Sequence, residues 1–231
     1  MTQLISEYAN LETDVSRPDT ERLIGVEAIR SRIERLALRA EIEVASLMTA
    51  APRDPAVIDS AITLVRRVRE RGVTIRSVGM DCLREAPAPL TYARRLVEIG
   101  AEVRVAPTLP VRVLIYDRQV ALVPFDPANS AAGAVQVTGR GTVAAILALF
   151  EQVWASALPI DSIPARDDAG LSPQERELLR LLAEGLTDAR AGRHLGISPR
   201  TVRRTVADMM SRLGARSRFE AGLRAAERGW I

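Results

Sequence analysis

The chain contains no lysine: all 32 of its basic residues are arginine. That absence points to a GC-rich coding sequence more than to any chemistry. A single cysteine, Cys82, excludes an intramolecular disulfide framework and fits a reducing, cytoplasmic setting. It reads as a small buried hydrophobe, with redox sensing as the sharper alternative. A single histidine beside that one cysteine supplies neither a metal-ligand cluster nor a nucleophilic triad, so no metal and no cofactor are expected. No run of 18 apolar residues occurs, and the opening MTQLISEYANLETD lacks a basic patch followed by an apolar stretch. Neither membrane insertion nor export is indicated.

What is present is distributed unevenly. At 231 residues the chain can bury two cores. Residues 166–231 hold 13 arginines against 9 acids, net +4, whereas residues 1–165 hold 19 against 20. Affinity for a polyanion is therefore expected at the C-terminal end. Eight arginines (190, 193, 200, 203, 204, 212, 216 and 218) fall between Arg190 and Arg218 with one acid, Asp208.

The same stretch carries a series of helix-start signals. Ser172-Pro173-Gln174-Glu175 is a capping box with proline at the first helical position, followed by the apolar stripe Leu178, Leu179, Leu182 and a stop at Gly185. A second helix is expected from Thr187 to Leu195, closed by Gly196. Ser198-Pro199 caps a third that reaches Leu213, and Ser217-Arg218-Phe219-Glu220 opens a fourth. Only Gly196-Ile197-Ser198 separates the second from the third, the short glycine-containing turn of a helix-turn-helix. At 100° per residue, Val202, Val206, Met209 and Leu213 share one face of the third helix, and Arg200, Arg203, Arg204, Ala207 and Ser211 lie on or beside the other. A solvated basic face would explain the charge alone, but not the turn and the caps with it.

Through LSPQERELLRLLAEGLTD, LGISPRTVRR, LGARSR and AGLRAAERGW, residues Leu171 to Trp230 resemble the LuxR/NarL-type helix-turn-helix, a four-helix module. The resemblance implies double-stranded DNA as partner, with the third helix in the major groove and the fourth pairing two copies. Carried over by position, it implies Arg203, Arg204 and Ala207 on the base side. Thr187, Ser198, Arg200, Thr201, Arg216 and Ser217 are the implied backbone-side residues. Thr205 stands where the family commonly has histidine, and Ala191-Gly192 where it commonly has Ile-Ala. The second departure predicts a loosely packed second helix.

Before this module the pattern alternates between helix, glycine stop and short β-branched strand, as in an α/β layered sheet. After a polar lead-in, helices are expected over Val26 to Arg39, Pro55 to Arg71 and Pro89 to Ile99, and strands over Glu41 to Thr49, Val73 to Met80 and Glu102 to Pro107. Val111 to Ile115 and Val120 to Val123 flank Tyr116-Asp117-Arg118-Gln119 as a hairpin, then come a strand at Ala134 to Thr138 and a closing helix from Thr142 to Ala157. Pro159, Pro164, the Asp167-Asp168 pair and Gly170 mark a linker, so the expected domains are 1–158, a linker 159–170 and 171–231.

This order, with the hairpin LPVRVLIYDRQVALVPFD, resembles one half of the phospholipase D-like fold as used in TrmB-type sensor domains. Active members place H-x-K-x4-D on this hairpin. Aligned on Asp117, the histidine position is Pro110 and the lysine position Arg112. Proline has no nucleophilic atom, so hydrolysis through a phosphohistidine is excluded and the chain is not expected to be an enzyme. What the resemblance leaves is a sensor pocket with Arg112 and Asp117 at its mouth, against the plainer readings of a strand charge and a turn residue. Asp81 and Arg84 after the second strand, with Tyr92 and Arg95 on the next helix, are further ligand candidates, since open α/β sheets bind ligands at that edge; structural roles are the alternative for each.

A phosphorylated response regulator shares such a C-terminus, but its receiver domain needs a late lysine that this chain lacks. The expectation is a cytoplasmic, sequence-specific transcriptional regulator acting as a homodimer, with Ala221, Leu223 and Ala225 near the two-fold axis. A small-molecule effector and a contact with RNA polymerase are its further expected partners. The alternative is a constitutive DNA-binding regulator whose N-terminal domain serves only for dimerisation or protein contact.

Overall fold

The computed structural model describes residues 19–52, 54–84, 86–127, 129–130, 132–162 and 165–231. Eight strands form one mixed sheet in the order β1-β7-β6-β5-β2-β3-β4-β8. They are β1 (Thr20–Ile24), β2 (Glu43–Met48), β3 (Thr74–Met80), β4 (Glu102–Ala106), β5 (Val113–Tyr116), β6 (Val120–Pro124), β7 (Gly133–Val137) and β8 (Leu158–Pro159). β2, β3 and β4 run parallel, joined by right-sized crossovers through α2 (Pro55–Arg69) and α3 (Pro87–Glu98); every other pairing is antiparallel.

Two apolar layers cover the sheet because the strands are buried on both faces. One face packs Ile75, Val103, Val105 and Tyr116 against Ile58 and Ile62 of α2, Ala93 and Leu96 of α3, and Ala37 of α1 (Val26–Arg39). The other packs Leu47, Val78, Val113 and Ile115 against Val143, Phe150 and Trp154 of α4 (Arg140–Ser156). Residues 171–230 keep a third core of their own around Leu178, Leu195, Val202, Met209 and Trp230.

Among the described residues, Glu43 is the charged residue that is buried in the sheet. Glu43 is buried between Arg76, to which it is hydrogen-bonded, and Arg118 at 3.1 Å. Arg76 also donates to both oxygens of Glu151 on α4 at 2.9 and 2.6 Å and lies over the rings of Phe150 and Trp154. These bonds, that to Glu151 foremost, push the Arg76 pKa up and fix the guanidinium as a permanent cation. The side chain thereby ties β2, β3 and α4 together.

The expected helices and strands are present, with ends moved by a few residues, and β1 lies in what read as a polar lead-in. Its five residues pair fully with β7, from Thr20 opposite Val137 to Ile24 opposite Gly133. The second change concerns the linker. Leu158 and Pro159 form an edge strand on β4, and the buried Ile160 donates its N–H to Val103 O at 3.0 Å, so the first domain runs past 158. From the other side, Asp167 accepts from the amides of Ala169 and Leu171, and Arg176 binds its carboxylate, which joins these residues to the C-terminal module. Pro164 lies outside the described residues.

The hairpin corrects a further expectation. Asp117 and Arg118 have φ of 51° and 58°, the two left-handed centres of a type I′ turn, closed by Gln119 N–H to Tyr116 O at 3.0 Å. The Asp117 carboxylate accepts from the amides of Glu41, Ile42 and Glu43 at 2.8 to 3.2 Å. Arg112 sits at the far end of β5, five residues away and so roughly 16 Å along an extended strand. The two cannot share a pocket mouth. Asp117→Ala strips three amides of their acceptor, and we expect urea unfolding to show a loss of about 1–3 kcal/mol. Asp117→Asn keeps one acceptor oxygen and should lose less; equal losses would refute the acceptor role.

Candidate nucleic-acid interface

The C-terminal module is built from α5 (Pro173–Ala183), α6 (Asp188–Leu195), α7 (Pro199–Leu213) and α8 (Arg218–Glu227). Each start is fixed by its own cap. Ser172 and Glu175 form the reciprocal capping box, and the hydroxyls of Thr187, Ser198 and Ser217 accept from Arg190, Thr201 and Glu220 N–H at 3.1 to 3.3 Å. Three residues expected to face a phosphate backbone are thus first of all helix caps. The hydroxyls of Thr187 and Ser217 still have a proton to donate outward, whereas those of Ser198 and Thr201 bond to each other at 2.9 Å, which uses the proton of one of them.

Gly196, at φ 67°, ends α6 and turns the chain into α7. How closely the two helices approach is decided at Gly192. A methyl group there would stand 2.8 Å from Ile197 O and 3.3 Å from Val202 Cγ2, and Ala191 beside it is fully buried. The Ala191-Gly192 pair therefore does not thin the packing; it is what allows the backbone of α6 to touch the turn. Sequence reasoning counted the helix propensity of glycine and missed the contact across the turn.

On α7 the buried face is Val202, Val206, Met209 and Leu213. Arg200, Arg203, Arg204 and Ala207 are all exposed on the other side, as the spacing predicts, and Thr201 is half-buried. The arginines of the module divide into two groups. Arg212 pairs with Glu175 and lies over Trp230, Arg218 makes a bidentate pair with Asp188 at 2.6 and 2.9 Å, and Arg224 binds Glu220 and the carbonyls of Leu213 and Gly214. The Arg218 hydrogen bonds hold the Asp188 carboxyl below the usual carboxylate range. Among the described residues, Arg190, Arg193, Arg200, Arg203, Arg204 and Arg216 make no ion pair. Charge density alone put Arg212 and Arg218 with these six, but their guanidiniums hold the module together. The backbone N–H of Arg216 donates to Glu220 Oε2 at 2.7 Å, which leaves its side chain outside the fold's bonding.

The ligand candidates of the first domain scatter. Arg95 is spent on Asp59 of α2 at 2.6 Å, and Arg84 donates to Pro159 O at 2.8 Å, anchoring β8. Asp81 opens the 3₁₀ turn after β3, its pKa raised by burial against the opposing pull of Arg84. Burial raises the Tyr92 pKa and lowers that of Arg112, and the charge of each offsets the other's shift. Arg112 has no carboxylate partner among the described residues. Those residues hold no group of three or more His, Cys, Asp or Glu that could bind a metal, and no helix long and apolar enough to cross a membrane.

An α/β domain followed by a capped four-helix module with an exposed, unpaired arginine face defines a two-domain protein with a helix-turn-helix at its C-terminus. Residues 169–225 match the bacterial regulatory proteins of the luxR family, and this segment is a LuxR-family helix-turn-helix domain. The bialaphos biosynthetic pathway regulatory protein of Streptomyces hygroscopicus is 36% identical over 68% of this chain and 61% of its own length. The chain thus spans about three fifths of that relative. A putative HTH-type transcriptional regulator of Mycobacterium bovis is 39% identical over 35% of this chain and 11% of its own.

Among solved structures, a phospholipase D family member, Nuc from Salmonella typhimurium, superposes with a TM-score of 0.50 at 12% identity, covering 62% of this chain and 98% of that one. The N-terminal fold is phospholipase D-like. The archaeal chromatin protein TrmBL2 aligns over 68% of this chain and 61% of its own at 18% identity and a TM-score of 0.47, a likeness too low to carry an argument.

Alanine is the better helix former, so Gly192→Ala would stabilise an isolated α6 by roughly 1 kcal/mol. In the module we expect the opposite, a lower thermal midpoint, because overpacking against Ile197 O costs about 1–3 kcal/mol. A raised midpoint by calorimetry would show that the turn yields and the contact is not limiting.

Proposed function

We propose that the chain is a sequence-specific DNA-binding transcriptional regulator whose α7 enters the major groove, and whose N-terminal domain regulates that binding. The carrying observation is the division among the arginines. A fold that pairs Arg212, Arg218 and Arg224 with internal acids and carbonyls leaves Arg200, Arg203 and Arg204 exposed without ion pairs on the one helix presented by the turn. Guanidiniums held in that state suit bidentate contacts to guanine edges and phosphates. Arg203 and Arg204, with Ala207 a turn further on, lie toward the bases. Thr187, Ser198, Arg200, Thr201, Arg216 and Ser217 flank them at the helix starts, where amides and hydroxyls meet phosphates.

The names of the relatives support regulation in place of catalysis. So does Pro110, exposed at the position of the nucleophile in active phospholipase D-like enzymes. Of the candidates, Arg95 and Asp117 are committed to the fold, which leaves Asp81, Arg84, Tyr92 and Arg112 as the residues placed to sense an effector. The setting that suits these roles is the cytoplasm.

A recognition helix of this length reads only a few base pairs, so a homodimer on a two-fold operator is part of the proposal. Its contact surface differs from the expected one. Ala225 is fully buried in the module's own core and Ala221 packs against that core, whereas Leu223 is 58% and Phe219 87% exposed. Leu223 and Phe219 are the apolar residues of α8 available to a second copy.

Arg203→Ala and Arg204→Ala should each weaken operator binding by about 1–3 kcal/mol with unchanged thermal stability. Quantitative gel shifts on operator and scrambled DNA test this; equal loss on both would reassign the side chains to phosphates. For assembly, sedimentation with operator DNA should give two protomers per duplex, and Phe219→Glu with Leu223→Glu should reduce it to one. A single wild-type protomer on a palindromic site would reject the dimer.

A further inference from the structure

The first residue of α6 and the first residue of α8 are joined side to side. Asp188 and Arg218, thirty residues apart in the chain, meet in a fork of two hydrogen bonds, Nη1 to Oδ1 at 2.6 Å and Nη2 to Oδ2 at 2.9 Å. Each nitrogen thus has its own oxygen, the geometry of a bidentate charge-assisted pair. The partners are unequally placed: the side chain of Asp188 is 20% exposed and that of Arg218 54%. Asp188 is the partner that needs the bond, because an ion largely withdrawn from water requires compensation, whereas an exposed guanidinium is hydrated without it.

Hydrogen bonding to Arg218 is the main reason why the Asp188 carboxyl titrates below the usual carboxylate range, so at neutral pH it carries its charge. After Arg218, the cation whose charge acts on it is Arg203. Arg203 lies on the exposed face of α7 and makes no ion pair among the described residues. A carboxylate that a base-reading arginine can feel works against DNA binding in two ways: it can draw the guanidinium back onto the protein, and it repels phosphates. The fork from Arg218 cancels that charge. Without Arg218, an uncompensated Asp188 would draw in the next cation, which is Arg203.

We propose that Asp188 and Arg218 are positioning residues of the DNA site, in which Arg218 neutralises Asp188 and so keeps Arg203 free to reach the bases. Arg218 then matters for binding without touching DNA. Removing it costs affinity only through Arg203. Removing the Asp188 carboxylate breaks the same bond, yet it leaves Arg203 nothing to fold onto, so the two halves of one ion pair act on DNA binding with opposite sign. The inference rests on the DNA-binding reading of α7.

The test takes the full chain and the tightest-binding duplex that the wild-type protein selects from a random-sequence pool, with affinities from fluorescence anisotropy at one salt concentration. Arg218→Ala should bind about tenfold more weakly. Asp188→Asn should bind more tightly than wild type, since an acid that repels phosphates is gone and a second guanidinium is released. A plain loss of positive charge is told apart by the background. With Arg203→Ala already present, Arg218→Ala should change nothing further, whereas with Arg204→Ala present its full effect should remain, because residues that act through one another are non-additive and independent ones add. An undiminished effect of Arg218→Ala in the Arg203→Ala background overturns the proposal and makes Arg218 a DNA contact or a fastener alone. Equal losses from Arg218→Ala and Asp188→Asn overturn it in favour of the fastener, and wild-type affinity of Arg218→Ala overturns it outright. Circular dichroism checks the fold of each variant; should Arg218→Ala unfold, Arg218→Gln, which keeps donors without the charge, replaces it with the same expected results. If the wild-type protein enriches no duplex, the DNA-binding reading fails and the positioning role with it.

Discussion

What the C-terminal module presents to a partner depends on one close approach, that of the Gly192 backbone to the carbonyl of Ile197. A methyl group at Gly192 would stand at 2.8 Å from that oxygen, so the crossing of α6 and α7 is set by backbone contact and not by side-chain size. From this crossing follows which face of α7 is buried, and from the buried face follows which arginines are left outside. The remaining arginines act as fasteners. Arg218 ties the start of α8 to the start of α6 through Asp188, and Arg176 and Arg212 tie residues 167–175 to the module and its last turn. One residue type thus does two jobs, separated by whether an acid or a carbonyl lies within reach.

The N-terminal domain shows the same economy with carboxylates. Glu43 is buried because Arg76 and Arg118 meet it, and Asp117 is held by three amides at the hairpin. A buried carboxylate is tolerable only with such partners, and removing one of them leaves an uncompensated charge. Of these groups, Asp117 reads as ligand-binding chemistry while the chain is a string. In the fold they are fully occupied in joining β2, β3, β5 and α4. The sheet's carboxyl edge is where Tyr92 and Arg112 remain without a carboxylate partner.

Much of this was legible in the sequence, for a local reason. Ser172, Thr187, Ser198 and Ser217 each accept from the amide three residues on, and Pro173 and Pro199 fix the first helical turn, so these starts are written within four-residue windows. The period of Val202, Val206, Met209 and Leu213 is equally local and named the outward face of α7 without coordinates. The luxR-family character of residues 169–225 and the phospholipase D-like order of the elements before them were readable on the same basis.

Other features depend on partners far away in the chain. β1 is a strand because β7, more than a hundred residues later, completes its ladder, and Leu158-Pro159 becomes sheet instead of linker because β4 has a free edge. Asp117 parted from Arg112 because β5 is long enough to hold them at opposite ends, and Ala225 turned inward because Trp230 closes over the same core. The sequence by itself determined what local bonds and helical period can specify: the caps, the turn and the basic face. Only the tertiary structure decided which charges are consumed by the fold and which remain free, because that depends on distances between residues that sequence separation does not measure.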